Sequence, residues 1–228
     1  MKMKMAALGM ALTVAGLHAE AQQIRAGVNL ANVSITDNGK VDDAKQISSF
    51  QVGIIGDFPL VPKVLSLQPG LLFTGKGSET SSGDPNSPTY YRATSNPKYI
   101  EVPVNVVFKL PLGSSLKLFA GAGPYAAVGV GGKVTREGKV LGAAFNSEKS
   151  IEFSNDDPTT TNYEEGAGYG ILRRFDYGLN GIAGLEGKSV VLGIGYGLGL
   201  AKLQSGSNST ADNNDKHRVL SFTLGFKF

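Results

Sequence analysis

Arg218-Val-Leu-Ser-Phe-Thr-Leu-Gly-Phe-Lys-Phe228 decides how this chain folds. Leu220, Phe222, Leu224, Phe226 and Phe228 alternate with smaller or polar residues. A period of two places them on one face of a β-strand. A soluble sandwich would bury that face. Here it closes a series of similar strands, a pattern that suits a closed barrel with its apolar face in lipid, where every backbone group must be paired within the wall.

Working back from that stretch, alternation predicts eight strands, over 23–34, 48–58, 64–76, 98–110, 116–130, 171–185, 189–203 and 217–228. The connections alternate in length: long at 35–47, 77–97, 131–170 and 205–216, short at 59–63, 111–115 and 186–188. The fold class expected is therefore all-β, an eight-stranded antiparallel up-and-down transmembrane β-barrel with short periplasmic turns and long extracellular loops. The terminal strand also resembles the C-terminal signal read by the outer-membrane barrel assembly machinery, which makes that machinery an expected partner in biogenesis.

The amino terminus fits export. Lys2 and Lys4 precede an apolar run from Met5 to Leu17, and Ala19-Glu-Ala21 has the small-x-small form of a cleavage site. The run is too short for a spanning helix. Residues 1–21 are expected to be a signal peptide, with 22–228 forming the barrel domain. The absence of cysteine excludes disulfides and thiolate chemistry.

Parity within the strands sorts wall from lumen. Val190, Leu192, Ile194, Tyr196, Leu198 and Leu200 share one face, and the other carries Val191, Gly193, Gly195, Gly197, Gly199 and Ala201. Ile100, Val102, Val104, Val106 and Phe108 likewise oppose Glu101, Pro103, Asn105, Val107 and Lys109. An eight-stranded barrel is barely wide enough for its own side chains. The inward charges Arg25, Asp57, Glu101, Lys109, Lys117, Arg174 and Asp176 are therefore expected to pair with one another rather than line an open channel. At the upper strand ends Lys98, Arg173, Lys202 and Arg218 share the phase of the lipid-facing residues, predicting an outward basic collar. Its expected partner is outer-membrane lipid, with the phosphates of lipopolysaccharide as counter-charge, set against simple snorkelling of the side chains into water.

Motifs of soluble chemistry do not fit. The glycines at 193, 195, 197 and 199 have a strict period of two, unlike the GxGxxG turn that opens a helix. Gly70-Leu-Leu-Phe-Thr-Gly-Lys76 approaches a phosphate loop, but Gly77 stands where a Ser or Thr would hold magnesium. His217 is the one histidine after the leader, near Ser207, Ser209, Asp212 and Asp215 in a polar segment that fixes no nucleophile beside a base. Asn155, Asp156, Asp157, Glu164 and Glu165 match no calcium-loop spacing. The reading therefore carries no catalytic residue, metal or cofactor. Beyond the leader the chain has 20 Lys and Arg against 18 acids, and the four long connections hold 8 basic and 14 acidic residues. The basic excess thus lies in the wall and rims, without the clustered, aromatic-interleaved patch that binds nucleic acid.

Several segments together resemble one family. Ala26-Gly-Val-Asn-Leu, Gln51-Val-Gly-Ile-Ile-Gly-Asp-Phe-Pro, Leu65-Ser-Leu-Gln-Pro-Gly-Leu-Leu-Phe with Gly75-Lys-Gly, Tyr99-Ile-Glu-Val-Pro-Val-Asn and Phe119-Ala-Gly-Ala-Gly-Pro-Tyr are similar to the PorT-type outer-membrane β-barrel proteins of Bacteroidetes. The resemblance implies a small OmpA-like barrel, and it supplies no catalytic residues to carry over. The expected role is a non-enzymatic, structural or loop-presenting protein of the cell surface. The alternatives are a narrow channel or secretion-associated barrel, and a lipid or peptide hydrolase at the rim.

Overall fold

A computed structural model describes residues 21–37, 40–43, 45–154, 171–203 and 216–228. All of the expected leader (1–21) but Ala21, the acidic group between Asn155 and Glu165 and the polar segment from 204 to 215 lie outside the described residues.

In chain order the strands are β1 (Ala21–Asp37), β2 (Lys40–Asp43), β3 (Ile47–Val61), β4 (Leu65–Gly75), β5 (Ser78–Ser82), β6 (Tyr90–Pro111), β7 (Lys117–Val140), β8 (Ala143–Ser150), β9 (Glu152–Phe153), β10 (Ile171–Leu172), β11 (Phe175–Glu186), β12 (Val190–Gly199) and β13 (Lys216–Lys227). Eight of them close a ring in the order β1-β3-β4-β6-β7-β11-β12-β13, every neighbouring pair antiparallel. Closure pairs Ile24 with Phe226 and Asn29 with Ser221, so β13 seals the barrel against β1. No edge of the wall is left open to lipid.

The outer surface is the apolar half of the alternation. Ile24, Val28, Ile54, Ile100, Val102, Val106, Leu192, Ile194, Phe222 and Leu224 are all exposed. Aromatic side chains mark both ends of this belt, with Phe50, Phe73, Phe175 and Tyr177 at the upper strand ends and Phe108, Phe226 and Phe228 at the lower. Two such girdles are what the two interfaces of a bilayer select. The lower end is finished by tight turns at 62–64, 112–116 and 187–189.

Upwards, the structure departs from the sequence reading. Much of the expected loop at 77–97, and of the part up to Ser150 of the expected loop at 131–170, is β-structure. β6 begins at Tyr90 and β7 continues to Val140, and they pair beyond the lipid belt with β5 and β8 on their outer sides. The result is a four-stranded extension. It starts at a register shift, where Lys98 faces Gly131 and Tyr99 faces Gly129, and Val130 is the extra residue. A bulge of this kind bends and re-aims a strand pair. The extension lacks a lipid face, so its sequence lacks the hydrophobic alternation from which strands were read. Cross-strand ion pairs support it instead: Arg92 with Glu79 at 3.3 Å and Glu137 at 3.0 Å, and Lys133 with Glu148 at 2.5 Å. The predicted strand over 171–185 also divides. Ile171–Leu172 pairs in parallel with Glu152–Phe153, and the wall strand begins at Phe175.

Candidate functional site

The lumen contains two groups of charged side chains and a small space between them. In the upper group, Lys76 Nζ lies 2.7 Å from Glu101 Oε2 and 2.8 Å from Asp176 Oδ2. It also stands 4.1 Å from the centre of the Tyr125 ring, whose hydroxyl donates to Asp176 Oδ2 at 3.2 Å. Asn180 donates to Glu101 Oε1 at 3.4 Å. Beside this group the Tyr99 hydroxyl and His217 Nε2 are 3.3 Å apart. His217 is 2% exposed, so it is an interior residue of β13 and not a rim histidine.

The lower group centres on Lys109, which bridges Asp57 and, at 2.9 Å, Glu186. Glu186 also receives Lys227 at 2.6 Å and Lys117 at 3.7 Å, and Gln68 donates to Asp57. Pairing of this density is what permits charges to remain inside a narrow barrel, because each uncompensated ion would cost several kcal/mol of desolvation.

Of the seven lumen charges named from sequence, six face inward in the structure, but not as one network. Asp57, Lys109 and Lys117 share the lower group, Glu101 and Asp176 share Lys76, and Arg25 reaches no carboxylate. Arg174 stands apart. It is exposed, precedes the wall strand, and donates to the Phe153 carbonyl at 3.4 Å. The residues that sequence reasoning passed over are the hubs Lys76 and Glu186, with Lys227. All three continue the inward phase of their strands, from Thr74, Ile182 and Thr223.

The four expected collar residues divide similarly. Lys98 Nζ donates to Ser49 and Asn96 at 2.9 and 3.0 Å and lies over the Phe50 ring, while Arg218 donates to the carbonyls of Gly199 and His217, both at 2.9 Å. Lys202 is exposed, and Arg173 is half-buried with its backbone N–H bonded to the Leu203 carbonyl.

An apolar cap lies over the upper group. Phe153 meets Tyr99 edge-on with ring centroids 5.9 Å apart, and Ile151, Leu172 and Val134 pack behind it with Leu203. Gly129 makes this seat, since a Cβ there would fall 2.2 Å from the Phe153 ring. Below the cap a cavity of about 60 Å³ is bounded by Arg25, Lys76 and Glu101 and by the glycine face of β12. Space for a few water-sized particles is not a continuous pore. The arrangement can hold buried charge and a small guest beneath an apolar cluster.

A family model described as "Outer membrane protein beta-barrel domain" matches residues 21–205. No curated protein matches the chain. Among solved structures, Ail, the attachment invasion locus protein of Yersinia pestis, is 16% identical with a TM-score of 0.41, the match covering 91% of this chain and 98% of that one. Neisserial surface protein A is 13% identical with a TM-score of 0.44, covering 91% and 99%. The N-terminal β-barrel domain of Pseudomonas aeruginosa OprF is 8% identical with a TM-score of 0.27, covering 90% and 97%.

Proposed function

This chain belongs to the outer-membrane protein β-barrel domain family and is integral to the outer membrane, and from that premise we propose that it is a non-enzymatic protein that presents its four-stranded extension at the cell surface. The observation that carries the reading is the tip of that extension. Leu141 is 90% exposed between β7 and β8, about 35 Å of strand beyond the last lipid-facing residue, Val130. The ion-paired lumen beneath it supports presentation over conduction. Burial of His217 against Tyr99 removes the base that a rim hydrolase would use. The proposal includes export by a signal peptide over residues 1–21. Within the family, the PorT-type branch of Bacteroidetes is supported by Tyr99-Ile-Glu-Val-Pro-Val-Asn, whose Tyr99, Glu101 and Asn105 all face the lumen. Contact with lipopolysaccharide phosphate is proposed for the exposed Lys202. Lys202→Gln should lower co-purification of that lipid with the folded barrel, and unchanged retention removes the contact.

The absence of native cysteine makes presentation directly testable. In intact cells a membrane-impermeant maleimide should label Leu141→Cys and spare Ser114→Cys in the opposite turn. Labelling of Ser114→Cys with Leu141→Cys spared would reverse the orientation and end this reading.

A further inference from the structure

The ion pairs of the lumen do not balance. Leaving the imidazole aside, the described inward charges are the cations Arg25, Lys76, Lys109, Lys117 and Lys227 and the carboxylates Asp57, Glu101, Asp176 and Glu186. Each carboxylate meets a lysine and each lysine a carboxylate. The surplus positive charge and the one unpaired cation are the same residue. Arg25 is 8% exposed, yet its guanidinium makes one hydrogen bond within the chain, from Nη2 to Gln23 Oε1 at 3.1 Å, and its buried Nε reaches no acceptor.

A second observation lies beside it. Arg25 borders the 60 Å³ cavity, whose lining includes Gly193, Gly195 and Gly197 on β12 and Ser221 and Thr223 on β13, the strand beside its own. The space exists because those glycines carry no side chain: a Cβ on Gly193 would fall 2.6 Å from Thr223 Oγ1, and one on Gly195 2.6 Å from Ser221 Oγ. A guanidinium has five N–H donors in a rigid fork and cannot shed its charge. Left uncompensated at this depth it would be among the costliest groups in the barrel. Arg25 is also not required to hold the lower group together, since Lys109, Lys117 and Lys227 already surround Glu186.

We propose that the lumen is a binding site for one small monovalent anion, of halide or formate size, held against the Arg25 guanidinium in this cavity. Charge sets the sign and the number of the guest, and the cavity volume sets its size. The site is independent of what the outer extension presents.

The test uses the full chain folded in detergent, with heat-dependent gel mobility as the readout. At fixed ionic strength, sodium bromide, chloride and formate should each raise the unfolding midpoint above that in sodium gluconate, whose anion is too large for the cavity, because a ligand bound by the folded state alone stabilises it. Arg25→Gln should abolish the difference between salts. Should that variant fail to fold, Arg25→Lys keeps the charge and should retain a reduced difference. In crystals grown with bromide, anomalous density should lie beside Arg25 in the parent and be missing from Arg25→Gln. Equal midpoints in all four salts, an unchanged difference in Arg25→Gln, or no bromide in the parent cavity would overturn the proposal.

Discussion

Lys76 and Asp176 are one hundred residues apart in sequence and 2.8 Å apart in the lumen, joining the upper end of β4 to β11 three strands further round the wall. Lys76 holds Glu101 of β6 by the same ammonium group. One cation therefore ties β4 and β6 to β11, which the backbone ladder reaches from them only through β7.

Removing that cation leaves two buried carboxylates facing each other. Lys76→Met should cost about 3–5 kcal/mol, the scale for stranding buried charge. It should lower the temperature at which the folded band disappears from a gel. Adding Glu101→Gln and Asp176→Asn should recover most of the loss, since a neutral interior has no charge to strand. A single variant as stable as the parent would mean that water reaches these carboxylates.

Glu186 gives the converse case, one anion serving Lys109, Lys117 and Lys227. Glu186→Gln should destabilise the barrel by a similar few kcal/mol, and the variant should lose more stability in low salt than in high, because mobile anions screen the exposed side of an unpaired lysine cluster. Lys117, the least buried of the three, should be the most dispensable, with Lys117→Gln within about 1 kcal/mol of the parent. Equal losses for Lys117→Gln and Glu186→Gln would contradict this ranking.

The wall was legible in the sequence because lipid and lumen impose a strict period of two, and Ile100 through Lys109 shows both faces without interruption. The charge hubs were written in the same phase but stood at strand ends: Lys76 is the last residue of the predicted strand over 64–76, and Glu186 opens a turn. The extension was illegible for a physical reason. Arg92, Thr94, Arg136 and Glu137 are half-buried polar residues interleaved with a few buried apolar ones, so no continuous apolar stripe marks their strands. The cap was harder still, since Phe153 and Leu172 pair through a two-residue parallel ladder across a long separation, too short for any period to register.

Conduction should depend on that cap. With Phe153 seated on Gly129 against Tyr99, the parent should be silent in planar bilayers. Phe153→Ala removes the seal without touching an ion pair. It should produce small, frequent openings, whereas Leu141→Asn at the outer tip should leave the silence unchanged. A parent that conducts steadily, with Phe153→Ala no different, would show that the cap does not set access to the lumen.

The tip of the extension separates stability from use. Leu141 and Gly142 have φ of 51° and 85°, the two positive values of a type I′ hairpin turn. Glycine takes the second place without strain. Leucine at the first costs about 1–2 kcal/mol relative to a residue at ease in the left-handed region. At 90% exposure its side chain gains too little packing within the chain to offset that. Asn in this place suits the turn, so Leu141→Asn should stabilise the hairpin by about 1 kcal/mol, seen as slower amide exchange at Val140 and Ala143. A leucine kept at the tip against its own backbone preference fits a surface whose apolar contact lies outside the chain. The same variant should therefore weaken any surface adhesion the parent confers on whole cells while leaving barrel stability intact. Faster exchange in Leu141→Asn would show that the leucine packs within the hairpin after all, and adhesion equal to the parent's would remove the tip from the contact surface.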